Sequence, residues 1–193
     1  MTSSSHRRRP ILVAAGLALV TGCVGDEFDT RDDVPHPLDG DDEAGELDEA
    51  KLERILTFAE DSSATLESAA EVFSNWEETP EDVAVDDIDA LRPEATAHID
   101  TYDSIVAPNR EAIAELEPGV AMNGEEWPAD GAALADALDD HEPLLFHIEE
   151  ASIGIVDASG DPNATSGRAR DSVEAVMANA GEVVQSTRSA LSG

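Results

Sequence analysis

Four stretches of this chain carry apolar residues spaced alternately by three and four, the pattern of a helix face packed in a bundle. The first, about residues 47 to 77, aligns Leu52, Ile55, Ala59, Leu66, Ala69, Phe73 and Trp76, is widened by Leu56 and Ala70, and stops before Pro80. The second, about 86 to 116, aligns Ile88, Leu91, Ala95, His98, Tyr102, Ile105, Asn109, Ala112 and Leu116, with Asp86 or Asp87 as its N-cap. Pro93 and Pro108 fall inside it and predict a kink or a restart. The third, about 129 to 157, aligns Leu134, Leu138, His141, Leu145, Ile148, Ser152 and Ile155, is interrupted by Pro143, and ends at Gly160 and Pro162. The fourth, about 165 to 191, aligns Ala169, Val173, Val176, Ala180, Val183, Thr187 and Ala190, with Thr165 or Ser166 able to cap it. The nearest approach to a strand, Ser152 to Val156, contains Gly154 and lies at a helix end. These segments predict an all-α fold, an antiparallel up-down four-helix bundle over residues 47–193. Many stripe positions are Ala, Ser or Val, so the helices should approach closely around a thin core.

The residues before the bundle have a different character. Thr2 to Arg9 is polar and basic, with Arg7, Arg8 and Arg9 consecutive and no acid before Asp26. From Pro10 to Gly22 the chain is largely apolar for 13 residues, short of the roughly 20 that a membrane-spanning helix needs. Residues 1–22 therefore read as a signal peptide. The run ends in Leu19-Val20-Thr21-Gly22-Cys23, which resembles the lipobox of exported lipoproteins, whose cysteine becomes the lipidated N-terminus. Cys23 is the only cysteine, and the resemblance implies that it carries the lipid. The adjacent arginines followed by Pro10-Ile11-Leu12 resemble a twin-arginine signal, which directs export of folded proteins.

Loss of residues 1–22 would leave eight basic residues against 44 acidic ones, a formal charge of −36. The acids divide evenly between Asp and Glu, and Lys51 is the one lysine. Molar salt shortens the Debye length to about 3 Å and screens such self-repulsion. With the lipobox, this composition resembles a haloarchaeal-type exported lipoprotein. The resemblance covers residues 1 to 23 and the charge balance, and it implies a halophilic habitat and a lipid-anchored place on the extracellular face of the cell membrane. The charge excludes nucleic acid as a partner, since binding a phosphate backbone needs a basic surface. It also disfavours anionic headgroups, leaving Cys23 as the membrane attachment. Residues 23–46 hold the lipidated cysteine and then 23 residues with three Gly, two Pro and ten acids, the composition of a flexible acidic tether. The apolar fraction of 41 % is periodically placed beyond it, which argues against disorder in the rest of the chain.

Chemistry-bearing motifs are sparse. No nucleophile elbow, metalloprotease helix motif, phosphate-binding glycine loop or dinucleotide fingerprint occurs, and nothing implies a cofactor. His98 and His141 each interrupt an apolar stripe near mid-helix. Glu94 lies four residues before His98 on the same face, and Glu142, Glu149 and Glu150 surround His141 and His147. Imidazole with carboxylate can bind a transition metal, but a bundle di-metal site needs a Glu-x-x-His from each of two helices, which this chain lacks. The competing reading is of histidines satisfied by hydrogen bonds inside the bundle. Asp39, Asp41 and Glu43 have the spacing that opens a calcium loop, but Ala44 and Ala50 stand where its glycine and closing glutamate belong. Asn163-Ala164-Thr165 forms a glycosylation sequon between the third and fourth helices. Trp127, between Glu126 and Pro128, either closes one end of the bundle or anchors a partner. The favoured reading is a non-enzymatic interaction module of the cell envelope that meets an envelope protein partner near Trp127. The alternative is a solute- or metal-binding bundle with its ligand near His98, Asn109 and His141.

Overall fold

A computed structural model describes residues 47–192 apart from 120, 123, 124 and 128, and these residues are almost wholly helical. Helix α1 spans Glu49–Glu78, and its N-cap Asp48 accepts a hydrogen bond from the Lys51 amide at 2.8 Å. Every residue of its predicted stripe from Leu52 to Trp76 is buried, and Phe58, Ser62, Ser63 and Thr65 join the buried face.

The second segment divides into α2 (Val85–Thr101), a π-helical turn (Tyr102–Val106) and α3 (Ala107–Ala114). Pro108 is the cause. It has no amide proton to give the Ser104 carbonyl, and its ring crowds that oxygen. The chain widens in the turn just before it, where the Ala107 amide reaches back to the Tyr102 carbonyl. Downstream of the widened turn Ile113 is fully buried, while Ala112 is only partly so. Pro93, by contrast, lies within one continuous α2. The cap also differs from expectation: Ala84 precedes α2 without a side-chain bond, and Asp86 and Asp87 lie in its first turn, where their charge complements the positive helix end.

The third segment likewise splits, into α4 (Gly131–Asp139) and α5 (His141–Asp157). The break falls at Asp140 because the Pro143 ring would crowd the Asp139 carbonyl; restarting at His141 places Pro143 in a first turn, where a missing amide proton costs little. Ser152 to Val156 is helical, within α5. Asp130 caps α4 through the Ala133 amide. Helix α6 spans Gly167–Leu191, and of its two candidate caps Ser166 is the one that accepts from the Ala169 amide.

Helix α1 packs on α2 and α6, α5 packs on α2 and α6, and α4 packs on α3 and α6. The four helical rods thus enclose one core, built from Ile55, Leu66, Phe73, Trp76, Ile88, Leu138, Leu145, Ile148, Val176 and their neighbours. Between α3 and α4 the chain makes a two-residue antiparallel pairing, Ala121–Met122 with Glu125–Glu126. Between α5 and α6, Gly160 takes a positive φ of 80° and its carbonyl accepts from the Trp76 indole at 3.0 Å. Trp76 thereby holds this loop over the end of the core.

Candidate functional site

His141, the first residue of α5, is wholly buried and joins three helices. Its Nδ1 lies 2.8 Å from Ser62 Oγ on α1, and its Nε2 lies 2.8 Å from Thr187 Oγ1 on α6. Each hydroxyl also has a carbonyl four residues back, Phe58 at 2.5 Å for Ser62 and Val183 at 3.0 Å for Thr187. A neutral ring brings one proton and the two hydroxyls one each, three protons for these four contacts. Protonating the ring would fill all four, but burial opposes it. Desolvation, helped by the nearby His98, pushes the His141 pKa down to about 4. The ring therefore stays neutral near pH 7 and acts as a crosslink between helices.

His98 lies half-buried on α2, its Nε2 3.1 Å from Thr65 Oγ1. Desolvation lowers its pKa, partly offset by Asp61 and Glu94. Both imidazoles pack about the ring of Phe58, with centroids 6.0 Å (His98) and 6.1 Å (His141) away. The structure thus brings the predicted pair into one cluster organised by hydroxyls and an aromatic ring. Glu94 is exposed at the cluster's edge. Among the described residues no group of three or more His, Cys, Asp or Glu side chains is arranged to hold a metal ion. Asn109 is buried on α3, donating to the Ile105 carbonyl at 2.7 Å.

The outer side of α5 is built differently. Phe146 and Ile153 are 46 % and 41 % exposed, the large apolar side chains that remain in solvent among the described residues. They stand seven positions apart on one helical face, with Glu149 and Glu150 between them and Asp157 one turn beyond. This face and the start of α6 line a groove of about 800 Å³, with Gly154 and Ala169 in its floor. The floor is shallow for a steric reason, since a Cβ on Gly154 would overlap that of Ala169. On the rim, Arg168 pairs with Glu150, whose second oxygen accepts from Ser172 at 3.0 Å; Ser172 also meets His147 Nδ1 at 3.1 Å.

Trp127 is buried, at 4 % exposure, so it closes the end of the bundle rather than offering itself to a partner. Its indole nitrogen has no hydrogen-bond partner among the described residues. Asn163 is exposed in the α5–α6 loop, where its amide and side chain both meet Asp161 Oδ1, and the hydroxyl of Thr165 donates to the Asp161 carbonyl. Cys23, the tether and the acidic trio Asp39, Asp41 and Glu43 lie outside the described residues. No helix among the described residues is long and apolar enough to cross a membrane. Comparison with family models, curated proteins and solved structures returns no match.

Sequence reasoning missed Phe58, Ser62 and Thr65 as partners of the histidines. Phe58 lies one position before Ala59 of the stripe, and the hydroxyls read as ordinary helix residues until the neighbouring helices meet them. It also passed over Phe146 and Ile153, whose shared signal is visible: both fall off the α5 stripe and on the same face.

Proposed function

We propose that this chain is a lipoprotein of the cell envelope, held at the extracellular face of the membrane through a lipid on Cys23, whose helical domain is a non-enzymatic interaction module for an envelope protein. The signal-like residues 1–22 and the lipobox-like end at Cys23 support the address, and the charge balance supports a halophilic habitat. The four rods run alternately up and down in this reading. In support, partners fall along the second rod as they rise along α1, from Phe58 with Tyr102 to Thr65 with His98, and fall along α6 as they rise along α5, from His141 with Thr187 to His147 with Ser172.

The observation that carries the module reading is the pair Phe146 and Ile153, large apolar groups left in solvent on one face of a helix whose other face is fully buried. The histidines favour it too, since their ring contacts are the kind that tie helices together. The test is the fate of Cys23. Wild-type protein should sediment with membranes in molar salt and carry a lipid mass on the peptide that begins at residue 23, and Cys23→Ser should abolish both. An unmodified thiol on a protein that stays in solution would overturn the anchor.

A further inference from the structure

The groove between α5 and α6 has a shape and charge that select one kind of occupant. Phe146 and Ile153 are about 10 Å apart along the helix axis at 1.5 Å per residue. A second helix presents its own residues seven apart at the same interval, the basis of helix-in-groove recognition. The close approach of Gly154 to Ala169 keeps the floor shallow, so apolar side chains of an occupant would rest on it beside Phe146 and Ile153. The acids on the same face are not equivalent. Glu150 is neutralised by Arg168, whereas Glu149 and Asp157 have no ion-pair partner among the described residues. Among the described residues Glu149 receives the Thr96 hydroxyl, at 3.3 Å.

An occupant must therefore bring apolar side chains at helical spacing and positive charge at contact distance, because molar salt leaves only contact-range pairs effective. The tether of this chain is disfavoured, with ten acids in 23 residues. A second copy would set Glu149 and Asp157 at contact with acids of its own kind, and an anionic lipid surface offers them no cation.

We propose that the outer face of α5 receives a cationic amphipathic helix of a partner protein, its apolar residues seated on Phe146 and Ile153 and its Lys or Arg side chains against Glu149 and Asp157. This rests on the interaction-module reading above and supplies the partner's chemistry. The full chain in molar KCl is titrated into a labelled Leu/Lys amphipathic peptide of about 18 residues, five helical turns, and into its Leu/Glu counterpart. The Leu/Lys peptide should bind saturably at one site and the Leu/Glu peptide should not. Phe146→Ala with Ile153→Ala should weaken binding at least tenfold, Glu149→Gln with Asp157→Asn should weaken it by a smaller factor, and Glu71→Gln on α1 should leave it unchanged. Equal binding by the Phe146/Ile153 double variant, or by both peptides, overturns the proposal, as does no binding to wild type. Self-association that the same double variant abolishes would also overturn it, by placing a second copy in the groove. Failure here with Cys23 lipidated leaves the anchored module standing, whereas peptide binding by an unlipidated protein removes the anchor and keeps the groove.

Discussion

The two faces of α5 have opposite economies. Inward, Leu145, Ile148, Ser152 and Ile155 are completely enclosed, and His141 ties the start of the helix to α1 and α6. Outward, Phe146 and Ile153 are of similar size and hydrophobicity, yet nearly half of each remains in water. Apolar burial stabilises by about 25 cal/mol per Å², so the inner residues contribute in full to folding while the outer pair contributes only for the part of its surface that is covered. The core encloses Phe58, Phe73 and Trp76, whereas these two large side chains are left at the surface. Their position in solvent, over a groove and among acids, is what an interface face needs and a folding face does not.

The contrast breaks most easily by truncation. Leu145→Ala or Ile148→Ala should lower stability by about 2–5 kcal/mol, measured by denaturant unfolding in molar KCl, whereas Phe146→Ala, already half in water, should cost about 1 kcal/mol. Comparable losses on the two faces would remove the distinction. The next effect is on pH. Unfolding returns His141 from a pKa of about 4 to its ordinary 6.5, so between those values the unfolded chain binds more protons. Stability should therefore fall as pH drops through 6.5 and stop falling on this account below about 4, a total of roughly 3 kcal/mol. The denaturation midpoint followed against pH should slope less in His141→Gln than in wild type, and parallel slopes would deny the buried ring its role. Gly154→Val sharpens the comparison where the faces meet. Its side chain must push α5 from Ala169, which should cost about 1–3 kcal/mol and weaken Leu/Lys peptide binding together. Smallest is Thr187→Val, which deletes one hydroxyl beside His141 and should cost about 1 kcal/mol while leaving peptide affinity unchanged.

Much of this was legible in the chain. The stripes of α1, α5 and α6 are buried residue for residue, because a period of three and four is a direct consequence of helix geometry. Proline positions announced interruptions but not their form. Pro108 is relieved by a π-helical turn and Pro143 by a restart at Asp140, whereas Pro93 is carried inside α2. His98 and His141 were visible as polar gaps in apolar stripes. Their partners were not, since Ser62, Thr65 and Thr187 come from other helices and are tens of residues away in sequence. Trp127 reads as either anchor or cap, the cap being the commoner role of such a residue, and its burial decides for the cap.

The most direct test of an outer face kept for a partner is site-specific photo-crosslinking in the protein's own membranes at molar salt. A photoreactive side chain at Ile153 should capture one protein species through a basic, amphipathic helical segment, while the same group at exposed Gly181 on α6 should capture none. Equal capture at both sites, or none at Ile153, would contradict the account.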